Sequence, residues 1–221
     1  SKDPKRPPVP IPSTGIDAMY KEMGPLEHTV EHAVLEKANH FKYRTLLGEL
    51  MYAYVTCRPD IGYAVTTLSK FASKPSQVHY TFLKGVAKYL RCTKNWGIRF
   101  HRPNKQDDED LLPGWWSEIE IPDDLGHFPV DINKPELNCF VDAAHANDHR
   151  TRRSTTGFVF AFAGGAVLYR SRTQSIVATS STEAEFIAAV DAAKNAKYLR
   201  QVLLQLGYDQ SRPTPIYCDN E

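Results

Sequence analysis

Apolar side chains recur at helical spacing from Tyr43 through Leu46, Leu47, Leu50, Met51 and Tyr54, and the run Arg58, Pro59, Asp60 interrupts the repeat. An amphipathic helix ending there is expected. Asp60 stands where it can cap a second helix carrying Ile61, Ala64, Val65, Leu68 and Phe71, which must stop before Pro75. Ser76 can cap a third, with Leu83, Val86, Ala87 and Leu90 inward. After Asn138 the period shortens to that of strands, at Cys139 to Ala143, Gly157 to Phe162 and Ala166 to Arg170, with Gly164 and Gly165 as a tight hairpin turn. A long helix from about Thr182 to Leu206 follows. Its apolar face reads as Phe186, Ala189, Val190, Ala193, Leu199, Leu203 and Leu206, with Gly207 as the stop. A short strand from Pro215 to Cys218 comes last, and a strand reached by a helical crossover pairs in parallel beside an earlier one.

The segments between these patterns are of a different kind. Pro4, Pro7, Pro8, Pro10 and Pro12 are too dense for a helix or a central strand, so residues 1–38 read as a proline-rich leader or linker. Residues 103–137 mix Asp107, Asp108, Glu109, Asp110, Asp123 and Asp124 with Pro113, Pro122 and Pro129, which is the composition of an acidic connector. Trp115 and Trp116 are expected to dock it on a neighbour. The organisation is therefore a leader, a helical region over 39–102, the connector, and an α/β module over 138–221.

Composition narrows the class. With 221 residues, 42% of them hydrophobic, the chain can build one large core or two small ones. Its most apolar stretch, Gly157 to Tyr169, is broken by Gly164 and Gly165, so no membrane span is expected. The first residues lack the apolar heart of a secretory signal, and an intracellular soluble protein is expected. Cys57, Cys92, Cys139 and Cys218 show no paired spacing, and His145 and His149 lie in no zinc motif, so packed thiols and uncommitted histidines are expected. Strand alternation would set Cys139 and Cys218 on the face opposite Asp142 and Asp219.

Net charge is only +1, yet residues 39–102 carry eleven basic against two acidic side chains and residues 103–137 carry two against ten. On the third helix Lys84, Lys88 and Arg91 fall at i, i+4, i+7, a cationic stripe joined by Lys70 and Lys74 that suits a phosphate backbone. Arg150, Arg152 and Arg153, between the first two strands, can grip phosphate in the same way. Solvated helix faces and a hairpin tip are the plainer readings of the same charges.

The strand and helix order places Asp142 in strand one, a glutamate in the first turn of the long helix and Asp219 at the end of strand four. If strand four pairs beside strand one, Asp142 and Asp219 converge. Convergent carboxylates repel unless a cation sits between them, and oxygen ligands favour magnesium or manganese. Two such ions activate water and stabilise a leaving oxygen in phosphodiester hydrolysis. Ser180 followed by Glu183 fits a capping box, which leaves Glu185 free to face the sheet; the competing register caps with Thr182 and uses Glu185 as its partner, and Glu185 is preferred as ligand because Phe186, Ala189 and Val190 are expected to face the same sheet. Singly, each carboxylate also has a structural use: a strand-end turn for Asp142, a cap partner for Glu185, an Asx turn for Asp219.

The strings YRTLLGELMYAYVTCRPDIGYAV, LSKFASKP, VAKYLRCT, FVDAAHAND, RRSTTGFVF, SSTEAEFIAA and IYCDNE, in this order from Tyr43 to Glu221, resemble copia-type LTR retrotransposon polyproteins. The resemblance implies an α/β architecture. Residues 39–102 would be a helical reverse transcriptase thumb or connection region, and residues 138–221 an RNase H-like mixed sheet with a packed helix. It implies catalytic and metal-binding roles for Asp142, Glu185 and Asp219, two magnesium or manganese ions, and cleavage of the RNA strand of RNA:DNA hybrids during reverse transcription. The remainder of the polyprotein would be a partner, and the setting a cytoplasmic virus-like particle and the nucleus. The family's polymerase palm with its YVDD aspartates is expected upstream of residue 1. A further helix, a fifth strand and a late acidic ligand are expected past Glu221, so the nuclease module is expected to be incomplete at its C-terminal end. A noncatalytic nucleic-acid-binding relic is the second reading. An integrase-like module is a third, disfavoured because the helix glutamate directly follows the third strand.

Overall fold

In the computed structural model, which describes residues 9–11, 16–100 and 136–219, the chain divides near Gly97 into a helical unit and a sheet-containing unit. The first holds α1 (Ile16–Lys21), α2 (Val30–Asn39), α3 (Tyr43–Thr56), a 3-10 turn (Pro59–Ile61), α4 (Gly62–Ser69) and α5 (Gln77–Cys92). The acidic connector, with Trp115 and Trp116, lies outside the described residues.

Each of the helices expected from Tyr43 onward forms, and their apolar positions make the core: Tyr43, Leu47, Leu50, Ile61, Val65, Leu68, Phe71, Leu83 and Val86 are buried. Asp60 does not cap α4. Its carboxylate instead accepts Nε and Nη2 of Arg58 at 2.9 and 2.7 Å, and the same buried guanidinium donates to the Thr93 carbonyl at 3.0 Å and to its hydroxyl at 2.6 Å. The Arg-Pro-Asp break thus ties the start of α4 to the end of α5. Gly62 opens α4 because the Tyr54 ring lies where a side chain would begin, its Cε2 2.5 Å from an ideal Cβ.

Residues 1–38 are not leader throughout. Thr29 caps α2 by accepting the His32 amide, His40 ends it in the left-handed region at φ 66°, and the segment before it lies against the α4–α5 connection. Gly24 N–H donates to the Lys74 carbonyl at 3.1 Å and Glu27 N–H to that of Ser73 at 3.3 Å. Met19 is fully buried, and its carbonyl accepts Nε2–H of buried His79 at 2.8 Å. His79 Nδ1 accepts the Ser76 amide at 2.8 Å, closing a box on the α5 N-cap. Burial drives the His79 pKa below the ordinary imidazole value, which keeps this donor-acceptor pattern neutral. Proline density in residues 1–12 masked the helical content that follows it.

The second unit holds β1 (Asn138–Ala144), β2 (Thr155–Phe162), β3 (Gly165–Thr173), α6 (Ser181–Gln205) and β4 (Ile216–Tyr217). The sheet order is β3-β2-β1-β4, antiparallel except for the parallel β1/β4 pair, in which Cys139 faces Ile216 and Phe140 faces Tyr217. The fold is therefore mixed α/β, with β4 beside β1 as the crossover argument requires. The hairpin turn is Ala163–Gly164, both at positive φ (51° and 79°); Gly165 already pairs with Phe162 in the ladder.

The face that α6 presents to the sheet differs from the expected one. Ala184, Ala188, Ala192 and Ala196 are buried with Leu203, against Cys139, Val141 and Ala143 of β1 and Phe158 and Phe160 of β2. Phe186 is 69% exposed and Val190 38%. Alanines four apart put little side-chain bulk between helix and sheet; of the expected face Leu203 is buried with them and Leu199 packs against the cluster beside Ile187, whereas Phe186 and Val190 turn outward. Among the described residues no helix is long and apolar enough to cross a membrane.

Candidate metal centre

The first turn of α6 turns its cap residues and Glu185 to different partners. Ser180 is the N-cap and its hydroxyl accepts the Glu183 amide at 3.1 Å. The Glu183 carboxylate turns back to Thr179, accepting its hydroxyl and amide at 2.6 Å each, and these bonds hold Glu183 below the usual carboxylate range. Glu185 points toward the sheet, half-buried, with Oε1 accepting the Ala143 amide at 3.1 Å from the end of β1. Its other oxygen, Oε2, accepts the Cys218 thiol at 3.3 Å.

Asp219 follows β4, and one ligating atom each from Glu185, Cys218 and Asp219 lie within 4.8 Å of one another. Asp142 is exposed on β1 and is not a member of that group. The β1/β4 pairing ends at Phe140 and Tyr217, two residues before Asp142 on β1 and Asp219 beyond β4. Glu185 and Asp219 are therefore brought together, and Asp142 stands beside them rather than among them. Among the described residues no lysine or arginine forms an ion pair with Asp142, Glu185 or Asp219, so their negative charge is not balanced by the fold there.

Strand alternation misplaced Cys218. β4 ends at Tyr217, so alternation no longer governs the next residue, and the thiol turns to Glu185. Cys139 stays on the core face as expected, and burial pushes its thiol up to about 12. The only sequence signal for Cys218 was its adjacency to Asp219.

The basic residues are less uniform than their sequence spacing implies. Lys70 Nζ donates to the Tyr20 hydroxyl at 3.3 Å, Lys74 is half-buried, and Lys84 Nζ donates to Asn39 Oδ1 at 3.1 Å beneath the Phe41 ring. Lys88 and Arg91 are exposed on α5. Arg150, Arg152 and Arg153 are exposed on the β1–β2 connection, a loop closed by the Arg152 amide on the Asp148 carbonyl and the Asp148 amide on that of Arg153. Arg152 takes a left-handed φ of 57° there.

No protein-family model matches the chain, and no solved structure matches it. Among curated proteins it is 35% identical over 216 residues to a retrovirus-related Pol polyprotein from transposon TNT 1-94 of Nicotiana tabacum. That match covers 97% of this chain and 14% of the polyprotein. It is 34% identical over 157 residues to secreted RxLR effector protein 161 of Plasmopara viticola, covering 71% of this chain and 90% of that protein. A retrovirus-related Pol polyprotein from transposon RE1 of Arabidopsis thaliana is 31% identical over 179 residues, 81% of this chain and 10% of the polyprotein. The chain thus corresponds to a small fraction of each transposon polyprotein it matches, and it belongs to the family of retrovirus-related Pol polyproteins of copia-type transposons.

Proposed function

We propose that residues 138–221 are an RNase H-like nuclease module of such a polyprotein, hydrolysing the RNA strand of RNA:DNA hybrids during reverse transcription. Residues 39–102 then form its thumb or connection region, and the rest of the polyprotein is its partner, in virus-like particles and the nucleus. The observation that carries the reading is the approach of Glu185 from α6 to Asp219 after β4, the strand that pairs in parallel with the strand bearing Asp142. Three carboxylates from three elements, unbalanced by any lysine or arginine among the described residues, suit a cation-dependent phosphodiesterase.

The carboxylate oxygens of Glu185 and Asp219 fit magnesium or manganese; the thiol beside them does not, and Asp142 must swing in to join them. Bound there, a pair of such ions would supply Lewis-acid stabilisation and an activated water. The chain's own contribution is positional. The Ala143 amide fixes one oxygen of Glu185, and the β1/β4 pairing fixes the approach of Asp219. Lys88 and Arg91 on α5 and, in the other unit, Arg152 and Arg153 are exposed and each pair suits phosphate; Arg150 is exposed with its guanidinium 5.5 Å from the centre of the Phe71 ring.

The test is magnesium-dependent cleavage of a labelled RNA:DNA hybrid by the chain and by Asp142→Asn and Glu185→Gln. Cleavage lost in both variants, with unchanged circular dichroism, is expected; cleavage retained in Asp142→Asn refutes the assignment. The position of Asp142 outside the close group favours the second reading, a noncatalytic nucleic-acid-binding relic. That reading predicts hybrid binding that weakens steeply with salt and no turnover by the wild-type chain.

A further inference from the structure

We propose that Cys218, Glu185 and Asp219 form a mixed thiolate and carboxylate site for a thiophilic divalent cation of the zinc or cadmium class, competing with magnesium. The inference rests on the metal-centre reading in taking Glu185 and Asp219 as ligands, and it adds a donor that this reading does not use.

Donor chemistry is the first argument. Zinc takes sulfur at ~2.3 Å and carboxylate oxygen at ~2.0–2.2 Å in a tetrahedron, which separates neighbouring sulfur and oxygen ligands by roughly 3.5 Å. The Cys218 Sγ to Glu185 Oε2 distance is 3.3 Å, so that edge of the polyhedron is already present. The remaining ligand separations, within 4.8 Å, need to close by about an ångström, and exposed Asp219 sits at a chain bend free of strand pairing. A thiolate selects against magnesium and for softer ions.

Charge is the second, independent argument. Half-buried Glu185 has its two oxygens engaged by a backbone amide and a thiol, and among the described residues neither it nor Asp219 has a basic side chain at ion-pair distance. A cation at this point replaces the thiol proton, which leaves to solvent as the sulfur–metal bond forms. The thiol–carboxylate hydrogen bond is thereby exchanged for two metal–ligand bonds with no redox change.

Because Cys57 and Cys92 are also exposed, the test uses the full chain with both changed to serine. Cadmium is titrated and the thiolate-to-cadmium charge-transfer absorption followed in the ultraviolet, without nucleic acid. A saturable band at one equivalent is expected, abolished by Cys218→Ser and by Cys218→Ala, weakened at least tenfold in affinity by Glu185→Gln, and kept in Asp142→Asn. A band that survives both Cys218 variants, or no band in the parent, overturns the proposal. Failure of hybrid cleavage with the cadmium band intact sinks the nuclease reading alone; cleavage with no band sinks this one alone.

Discussion

The alanine stripe of α6 makes a sharp prediction, because it faces the sheet where Phe186 and Val190 are expected to. Ala188→Leu adds three carbons at a fully buried position between Ala184 and Ala192. Overpacking at such a position is expected to cost ~1–3 kcal/mol. Phe186→Ala removes a ring that is 69% exposed and is expected to change stability by no more than ~0.5 kcal/mol. Two units need not unfold together, so amide hydrogen exchange along α6 is a better measure than a single melting temperature. Ala188→Leu should speed exchange there roughly 5- to 150-fold, the equivalent of that energy, while Phe186→Ala leaves it within about threefold. The reverse order would mean that the outer face of α6 carries the packing, and the argument for the position of Glu185 would fail with it.

Three further outcomes are expected in the helical unit. Arg58→Lys keeps the charge but cannot reproduce the fork to Asp60 together with both Thr93 contacts, so a loss of ~1–3 kcal/mol in urea unfolding is expected, with an unchanged slope. Because His79 is held below its ordinary pKa, the unfolded chain takes up the proton first. The His79 contribution is therefore complete above about pH 6.5 and is lost as pH falls below it. Protease nicking near Met23 should rise between pH 7.5 and 5 in the wild type, and His79→Ala should be nicked readily at both. Gly24→Ala would set a Cβ 1.8 Å from the Pro75 carbonyl oxygen, a backbone clash, so nicking of the same segment should rise at neutral pH while helical circular dichroism is kept.

Much of this fold can be read in advance because its elements differ in period. The strands alternate, the crossover forces β4 beside β1, and Ser76 and Ser180 mark two helix starts. Where reading fails, a weaker local rule was overruled by tertiary contact. Asp60 has the chemistry of a cap, but a buried guanidinium two residues earlier claims it. Phe186 and Val190 score higher than alanine on any hydrophobic count, and only the burial of Ala184, Ala188, Ala192 and Ala196 beside Leu203 reveals which side of the helix meets the sheet. At the site, assigning Ser180 and Glu183 to the cap leaves Glu185 toward the sheet, but the expected face shared with Phe186 and Val190 is wrong, since both turn outward; the Cys218 thiol depends on where a two-residue strand stops, below the resolution of sequence pattern.

That two-residue strand also bears on the order in which the molecule is made. β4 is held by two register pairs, the Cys139 amide on the Pro215 carbonyl at 3.0 Å, and the stack of Tyr217 on Phe140 with ring centres 5.1 Å apart. Its partner strand lies more than seventy residues earlier in the chain, across the whole of the hairpin and α6. Closing so long a loop for so few contacts costs entropy that the hairpin and the helix do not, so β4 is expected to dock after them. Glu185, Cys218 and Asp219 are thus expected to come together late, and a chain stalled before β4 docks is expected to keep its hairpin and helix while those three side chains stay apart.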